Sequence, residues 1–421
     1  MIKYQHKKQI KKLLSILPFL FLVLVSIACK QQNQPVRIET LFDDGWKFQL
    51  GNIQDAEMPS FNDEGWRSLD LPHDWSIENL PNQEPGRVVG PFSKESIGAT
   101  ATGYTIGGTA WYRKTFTLDN DNRFSKTFIN FDGVFMNCEV WVNGKLAGTH
   151  PYGYTAFHFD ISEFLNPAGK SNLIAVKVKN EGKNSRWYSG SGIYRHVHLI
   201  QKQAIHIAHN GFFIETNKIS DTNYDLTFTV DLIYDKANEK GISLAAKIFN
   251  PDGKFESENE IKIKEMPTDD ARFSFSLRYA NPKLWSIEEP NLYSAEIIVL
   301  KNGKPVDMVT QKFGIRTIHF DAKTGFTLNG KSILLKGGNL HHDNGFLGSA
   351  TIDRAEERRV ELMKANGFNA IRTSHNPPSK QFLDACDRLG VLVMVEAFDQ
   401  WVRPKNPQDY NLYFREWWKK D

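Results

Sequence analysis

The stretch NAIRTSHNPPSKQFLDACDRLGVLVMVE, residues 369–396, decides the fold of the C-terminal part of the chain. It opens and closes on short apolar runs, which we predict to be strands at residues 368–372 and 391–395. The second run is continuously apolar, so we expect that strand to be buried, as parallel strands are. Between them, Ser379 is a favourable helix N-cap and Gly390 a favourable helix C-cap. The helix between these caps places three apolar side chains on one face: Phe382, Cys386 and Leu389. A strand, a helix and a second strand in this order are typical of parallel α/β structure.

One more strand and one more helix precede this stretch. The apolar run Ile333–Lys336 predicts a strand. Asp353 with Glu356 has the pattern of a capping box, and Gly367 can close the helix that this box opens. We therefore expect residues 321–421 to form the opening of a parallel α/β unit with three strands.

The chain before residue 321 has no long helical period and alternates short apolar segments with turns. Asn143-Gly144 is a strong hairpin signal. Further along, four apolar residues alternate with polar ones: Leu226, Phe228, Val230 and Leu232. These patterns predict a β-sandwich over residues 37–203 and an immunoglobulin-like β-sandwich over residues 204–320. The predicted fold class is multidomain, with β domains followed by α/β structure.

The composition excludes one class of partner. The 421 residues carry 52 Lys and Arg against 49 Asp and Glu, and several of the lysines crowd into the first dozen positions. The body is therefore nearly neutral, and we expect no nucleic-acid partner, because such proteins need a basic surface. Aromatic residues make up 12% of the chain, which suits sheet-rich domains or surfaces that stack on sugars. We expect Cys138 and Cys386 to be buried thiols rather than a disulfide.

The N-terminus has the layout of an export signal. Five lysines precede the uncharged apolar run Leu13–Ala28, which is short for a membrane span. Small residues stand just before Cys29, as in a bacterial lipoprotein signal, although Ser26 replaces the more usual leucine. We predict a signal over residues 1–29 with a lipidated Cys29, and hence a protein exported to the periplasm or to the outer membrane and cell surface. An ordinary cleaved signal or a short anchor is the alternative. We expect membrane contact only through the lipid.

Polar side chains collect after each of the three predicted parallel strands, in residues 337–343, 372–376 and 396–401. The carboxyl ends of adjacent parallel strands meet at one edge of a sheet, and active sites form there. A zinc site is an alternative use of five of these residues: His341, His342, Asp343, His375 and Glu396. Their spacing matches no strong zinc motif, so we expect no metal.

The stretch that decides the fold also resembles a signature of glycoside hydrolase family 2. The matching residues are Asn369–His375, Pro377, Asp387 and Gly390–Met394, with Asn376 in place of the usual tyrosine. Five earlier segments resemble the family's N-terminal sugar-binding domain: Trp46, Leu71–Trp75, Gly108–Phe116, Val140–Gly144 and Ser189–Arg195. The resemblance implies a jelly-roll β-sandwich, an immunoglobulin-like β-sandwich, and the first three strands of an incomplete catalytic (β/α)8 TIM barrel.

Members of the family are β-galactosidases, β-glucuronidases and β-mannosidases, and this sequence looks most like a bacterial β-galactosidase. The resemblance implies hydrolysis of terminal β-glycosidic bonds by a retaining mechanism with two glutamates. In the family, the acid/base glutamate ends the fourth barrel strand and the nucleophile ends the seventh. We expect both glutamates beyond Asp421, so that the 421 residues alone are inactive. Glu416, in a charged segment, is a poor substitute.

The resemblance also implies sugar-binding roles for residues of the three polar clusters. His341 and His375 match histidines that contact the sugar near the scissile bond, and Arg372 matches an arginine beneath the pocket. Asn339 and Asp399 are weaker matches to pocket residues.

Four further positions are interpreted through the same resemblance. Glu396 stands where the family often has an acidic residue that supports the pocket. Arg186 occupies the place of an acidic residue that the jelly roll lends to the pocket in some members, and either contacts sugar hydroxyls or braces the domain contact. Gln400 and Val402 stand where some members bind magnesium through Glu and His, so we expect that site to be absent and no cofactor to be required.

A second hypothesis is a surface-tethered carbohydrate-binding lipoprotein that uses the jelly roll alone. Trp111, Trp141 and Trp187 would then stack on sugars, whereas the ordinary expectation for such residues is a place in the sandwich core. In both hypotheses the partner is a carbohydrate. Which sugar is bound depends largely on later barrel loops, and the sequence leaves the oligomeric state open.

Overall fold

A computed structural model gives the conformation of most of the chain. It describes residues 35–78, 91–119, 121, 123–234, 240–264, 266–267 and 271–421. The predicted signal and Cys29 lie outside these residues. Within them, no helix has the length and apolar character needed to cross a membrane. Arg37–Asp421 form one unit.

Two antiparallel sheets build the first sandwich, because apolar side chains from both meet in one core. The strands are β1 Ile38–Leu41, β2 Trp46–Leu50, β3 Arg67–Leu69, β4 Gly108–Thr117, β5 Lys126–Phe131, β6 Cys138–Val142, β7 Lys145–His150, β8 Phe157–Asp160, β9 Ser171–Asn180 and β10 Val197–Lys202. Their orders are β1-β10-β5-β8 and β3-β2-β4-β9-β6-β7. The predicted hairpin joins β6 to β7, with Asn143 and Gly144 both at positive φ. Cys138 is a buried free thiol, as predicted.

The second sandwich follows directly and is also antiparallel. Its strands are β11 His206–Lys218, β12 Asn223–Ile233, β13 Ile242–Phe249, β14 Phe255–Lys262, β15 Arg272–Ala280, β16 Tyr293–Lys301 and β17 Lys304–Phe313. They form the sheets β11-β12-β15 and β14-β13-β16-β17. The alternating residues Leu226 to Leu232 of β12 are buried in the core between these sheets, which confirms the prediction from their spacing.

The C-terminal part contains a small antiparallel sheet and a parallel one. The elements are β18 Ile318–Asp321, β19 Gly325–Leu328, β20 Lys331–Ser332, β21 Gly337–Leu340, α1 Asp353–Ala365, β22 Ala370–Thr373, α2 Lys380–Leu389, β23 Leu392–Val395 and α3 Phe414–Trp417. The order β21-β22-β23 with parallel pairing confirms the predicted start of a barrel. Ser379 caps α2 by accepting from the Phe382 backbone N–H, and Gly390 ends it at φ 72°. The Cys386 thiol on α2 is buried and free.

The first parallel strand lies later than predicted. The apolar run at residues 333–336 is not a strand, and Leu334 is 77% exposed. Pairing with β22 begins at Gly337, opposite Ala370. At Gly338 a Cβ would lie 3.1 Å from the Met363 side chain, so a residue without a side chain suits the close approach of α1. The prediction from hydrophobicity therefore placed this strand too early, and Asn339 lies within the strand rather than after it.

Two further predictions about this part were wrong. Asp353 is the first helical residue of α1, the N-cap is Ile352, and its side chain makes no capping bond. The Glu356 carboxylate instead accepts hydrogen bonds from Asn344 and Ser379, each at 2.7 Å, so it links α1 to its neighbours. The last strand was expected to be buried, but Met394 and Val395 of β23 are 61% and 48% exposed. They project from opposite faces of the sheet, so both faces are open to solvent at this end of β23.

Candidate functional site

A pocket opens where the first sandwich meets the carboxyl ends of the parallel strands. The sandwich contributes Tyr152, Tyr154 and Asn184–Trp187, and the C-terminal part contributes His341, His342, His375, Asn376, Asp399, Gln400, Asp409 and Tyr410. Four of the predicted site residues thus line one cavity: Arg186, His341, His375 and Asp399. The other three, Asn339, Arg372 and Glu396, lie in hydrogen-bonded contact beside it.

Glu396 is held by two neighbours. One carboxylate oxygen accepts from the Arg372 guanidinium, and the other lies 2.6 Å from Nδ1 of His375. The Arg372 Nε group also donates to the Asn339 side-chain oxygen at 2.8 Å. Burial raises the pKa of Glu396, but the hydrogen bonds from His375 and Arg372 outweigh it and lower the pKa overall. An ionised carboxylate with both oxygens engaged orients its neighbours and is a poor proton donor.

Arg186 reaches from the sandwich to the loop after β23. Its Nε donates to Oδ2 of Asp399 at 2.8 Å, and a second guanidinium nitrogen bonds Oδ1. Lys405 also donates to Asp399, at 2.9 Å. Burial raises the pKa of Asp399, and the bonds from Arg186 and Lys405 reverse the shift, so that the pKa lies below its usual value. Of the two roles predicted for Arg186, this geometry matches the brace between domains.

Trp187 stacks on His341 at the outer part of the pocket. The ring centroids are 4.1 Å apart and the planes differ by 12°. The indole Nε1 donates to Asp343 at 2.9 Å, and His341 in turn meets His375 edge to face at 5.5 Å. Burial first, and then the neighbouring His375, lower the pKa of His341, so the imidazole is neutral at neutral pH. Trp111, by contrast, is buried in the sandwich.

Several pocket residues were missed by the sequence analysis. Asp409 accepts from the Tyr410 backbone N–H at 2.7 Å and from the side chain of Gln400. Burial raises the pKa of Asp409 to about 7. Tyr152 donates to Asn376 at 3.1 Å and to the Ala397 carbonyl at 2.9 Å. These residues lie in loops and in a strand-end turn of the other domain, where neither periodicity nor motif spacing marks them.

A buried carboxylate fixes the two domains together behind the pocket. Asp74 is 2% exposed. Its Oδ1 accepts from the backbone N–H groups of Ser76 at 2.9 Å and Ser191 at 2.8 Å, and from the Ser76 hydroxyl at 2.6 Å. Its Oδ2 accepts from the Ser349 backbone N–H at 2.9 Å, from the Ser349 hydroxyl at 3.0 Å, and from the Tyr188 hydroxyl. The loop after β21 is therefore tied to the loop that carries Arg186 and Trp187.

The residues at the magnesium position of some family members do not fit a metal. The Gln400 side-chain oxygen accepts the backbone N–H of Lys405 at 2.6 Å, and Val402 has no donor atom to offer. In the described part of the chain, no group of three His, Cys, Asp or Glu is placed to hold a metal ion.

Three models of Glycosyl hydrolases family 2 match the chain in the order of the fold. The model of its sugar-binding domain matches residues 48–203, a second model matches residues 205–316, and the model of its TIM barrel domain matches residues 321–403. The chain belongs to glycosyl hydrolase family 2. The match of all three domain models confirms the resemblance inferred from the signature.

Family relatives are similar over nearly the whole chain. Beta-galactosidase BoGH2A of Bacteroides ovatus is 39% identical over 90% of this chain and 43% of its own length. A crystal structure of a family 2 member from Bacteroides cellulosilyticus superposes with a TM-score of 0.86 at 42% identity, over 91% of this chain and 49% of that chain. A beta-glucuronidase 2 of Bacteroides uniformis superposes at 0.75 and 28% identity, over 88% of this chain and 44% of that chain. The chain spans less than half the length of these relatives.

Proposed function

We propose that this chain forms one wall of the sugar pocket of a retaining exo-acting β-glycosidase whose substrates are terminal β-D-galactosides. The observation that carries the proposal is the pocket itself, which closes between the sugar-binding domain and the carboxyl ends of the barrel strands. Neutral imidazole at His341, the imidazole of His375 and the carboxylate of Asp399 offer the donors and acceptors that sugar hydroxyls need.

Two glutamates about 5–5.5 Å apart perform retaining hydrolysis, one as acid/base and one as nucleophile. We propose that neither is among residues 37–421. Both oxygens of Glu396 are engaged by Arg372 and His375, and Glu416 is exposed on α3, outside the pocket lining. Residues 1–421 alone should therefore bind sugar without hydrolysing it.

The charges around the pocket favour a neutral sugar over a uronic acid. Arg186 and Lys405 are both paired with Asp399, and Arg372 is paired with Glu396. A glucuronate carboxylate would have to displace one of these partners. One alternative to β-galactosidase activity is the β-glucuronidase or β-mannosidase activity of the same family. A second alternative is a surface carbohydrate-binding lipoprotein.

A ligand panel tests this proposal on the 421-residue chain. Ligand-observed NMR titrations would compare methyl β-D-galactopyranoside with the corresponding β-D-glucuronide and β-D-mannoside. We expect the galactoside to bind most tightly, and His375→Ala to weaken it about tenfold, because a polar contact to the sugar is lost. His319→Ala is the matched control, since His319 is an exposed histidine outside the pocket. Preference for the glucuronide would reassign the substrate, and turnover of p-nitrophenyl β-D-galactoside would contradict the absence of both glutamates.

We also propose that the protein needs no metal or cofactor and reaches the cell envelope as a lipoprotein through Cys29. The signal layout of residues 1–29 supports export. Metabolic labelling with a radioactive fatty acid should mark the wild-type protein and leave Cys29→Ala unlabelled. Equal labelling of both would contradict lipidation at this residue.

A further inference from the structure

Trp187 stands apart from the other residues that line the pocket. Among them, only Arg186 and Trp187 are exposed, and the remainder are buried or half-buried. Arg186 is occupied by its two bonds to Asp399. Trp187 is 49% exposed although it is a large apolar side chain. Other large apolar side chains of this chain are equally exposed, but Trp187 is the one that lines the pocket, where its ring is accessible to a ligand.

The ring of Trp187 is fixed before any ligand arrives. One face packs against His341 at 4.1 Å, and the indole N–H is bonded to Asp343. The only polar atom of the indole is thus occupied, and the surface that remains is apolar. A rigid aromatic side chain loses little conformational entropy on binding, which makes it an effective contact for a second ring.

We propose that Trp187 forms a stacking platform for the leaving-group sugar, the ring on the far side of the scissile bond from the terminal sugar. This inference rests on the proposed exo-acting function. In such a pocket the terminal sugar occupies the enclosed end, and the rest of the substrate extends through the mouth, where Trp187 lies. The apolar C–H face of a pyranose is complementary to the exposed indole face.

Binding of two ligands that differ by this one ring tests the proposal on the 421-residue chain. Methyl β-D-galactopyranoside has only the terminal sugar, whereas lactose adds a glucose ring on the leaving-group side. We expect wild-type protein to bind lactose about three- to tenfold more tightly, the range expected of one aromatic contact. Trp187→Ala should bring the ratio of the two dissociation constants to about one, and Trp187→Phe should preserve most of it.

The ratio of the two dissociation constants is the informative quantity. Loss of the stack between Trp187 and His341 would weaken the binding of both ligands alike and leave this ratio unchanged. Trp418→Ala is the matched control, since Trp418 is 47% exposed and lies outside the pocket lining; it should leave the ratio unchanged. A wild-type preference for lactose that survives in Trp187→Ala would overturn the inference, as would a wild-type chain that binds both ligands equally. In both cases galactoside binding itself would stand. A wild-type chain that binds neither ligand would overturn the proposed function, and the platform with it.

Discussion

Replacing Asp74 by asparagine keeps the shape of the side chain but converts one acceptor oxygen into an NH2 donor. In the wild-type protein this carboxylate accepts six hydrogen bonds, three on each oxygen. Whichever way the amide is turned, its NH2 group faces a backbone N–H, of Ser349 in one orientation and of Ser76 and Ser191 in the other. Hydroxyl donors can rotate to accept, but a backbone N–H cannot.

A buried N–H without a partner costs about 1–3 kcal/mol, and the bonds that remain lose the strength that the charge gave them. We therefore expect Asp74→Asn to lower the free energy of unfolding by about 2–4 kcal/mol. Urea unfolding followed by tryptophan fluorescence measures this value, with the shift in midpoint at constant slope as the readout. Trp75, beside Asp74, is itself buried and reports on the same region.

The control is Asp225→Asn in the second sandwich. Asp225 forms an ion pair with Arg278, with one contact at 3.0 Å, but the Arg278 side chain is 59% exposed. Exposed ion pairs contribute at most about 1 kcal/mol, so this variant should unfold almost as the wild type does. If Asp74→Asn lost no more than Asp225→Asn, the view that this buried carboxylate ties sandwich to barrel would be refuted.

Three further outcomes follow from the contacts of single residues. The hydrogen bond with Asp43 raises the pKa of His196 from 6.5 to about 9. The stability that protonated His196 contributes is therefore complete below pH 6.5 and is lost as the pH rises to 9. In urea titrations over that range, the difference in unfolding free energy between wild type and His196→Asn should shrink by about 1–2 kcal/mol. Glu356→Gln, with three bonded partners and 3% exposure, should cost about 2–3 kcal/mol in the same assay, and a loss under about 0.5 kcal/mol would show that α1 is not anchored there. Arg186→Ala should lower the free energy of unfolding by less than about 1 kcal/mol, because the arginine side chain is 45% exposed. A larger loss would contradict the view that this ion pair behaves as an exposed one.

Periodic features could be predicted from the sequence, because burial and backbone geometry act locally. The alternation along β12, the turn at Asn143-Gly144 and the caps of α2 at Ser379 and Gly390 were all confirmed. The first parallel strand was misplaced, because it begins with Gly337 and Gly338 and has little apolar character, while the apolar run before it is largely exposed. Strand identity there is decided by tertiary contact, which hydrophobicity does not report.

The candidate site shows the same division. His375 belongs to the family signature, and His341 and Asp399 lie in the polar clusters after the first and third predicted strands, so their meeting in one pocket could be anticipated. Asp409 could not, because it lies in an irregular segment and is held by the Gln400 side chain and the Tyr410 backbone N–H. Trp187 was predicted only as one of three tryptophans that would stack on sugars, and its place in the pocket depends on its bond to Asp343. For Arg186 the sequence left two roles open, and its bonds to Asp399 match the brace between domains.

The Arg186–Asp399 pair joins positions 213 residues apart and belongs to two domains at once. Recombination that replaces the first sandwich with that of another family member would therefore exchange part of the binding pocket along with it. Asn184–Trp187 would leave with the old domain, and Asp399 would face whatever side chain the new one supplied. In chimaeras of this family, ligand preference should be inherited jointly from the sandwich and the barrel, and a graft that respects only the domain boundary would separate two halves of one recognition surface.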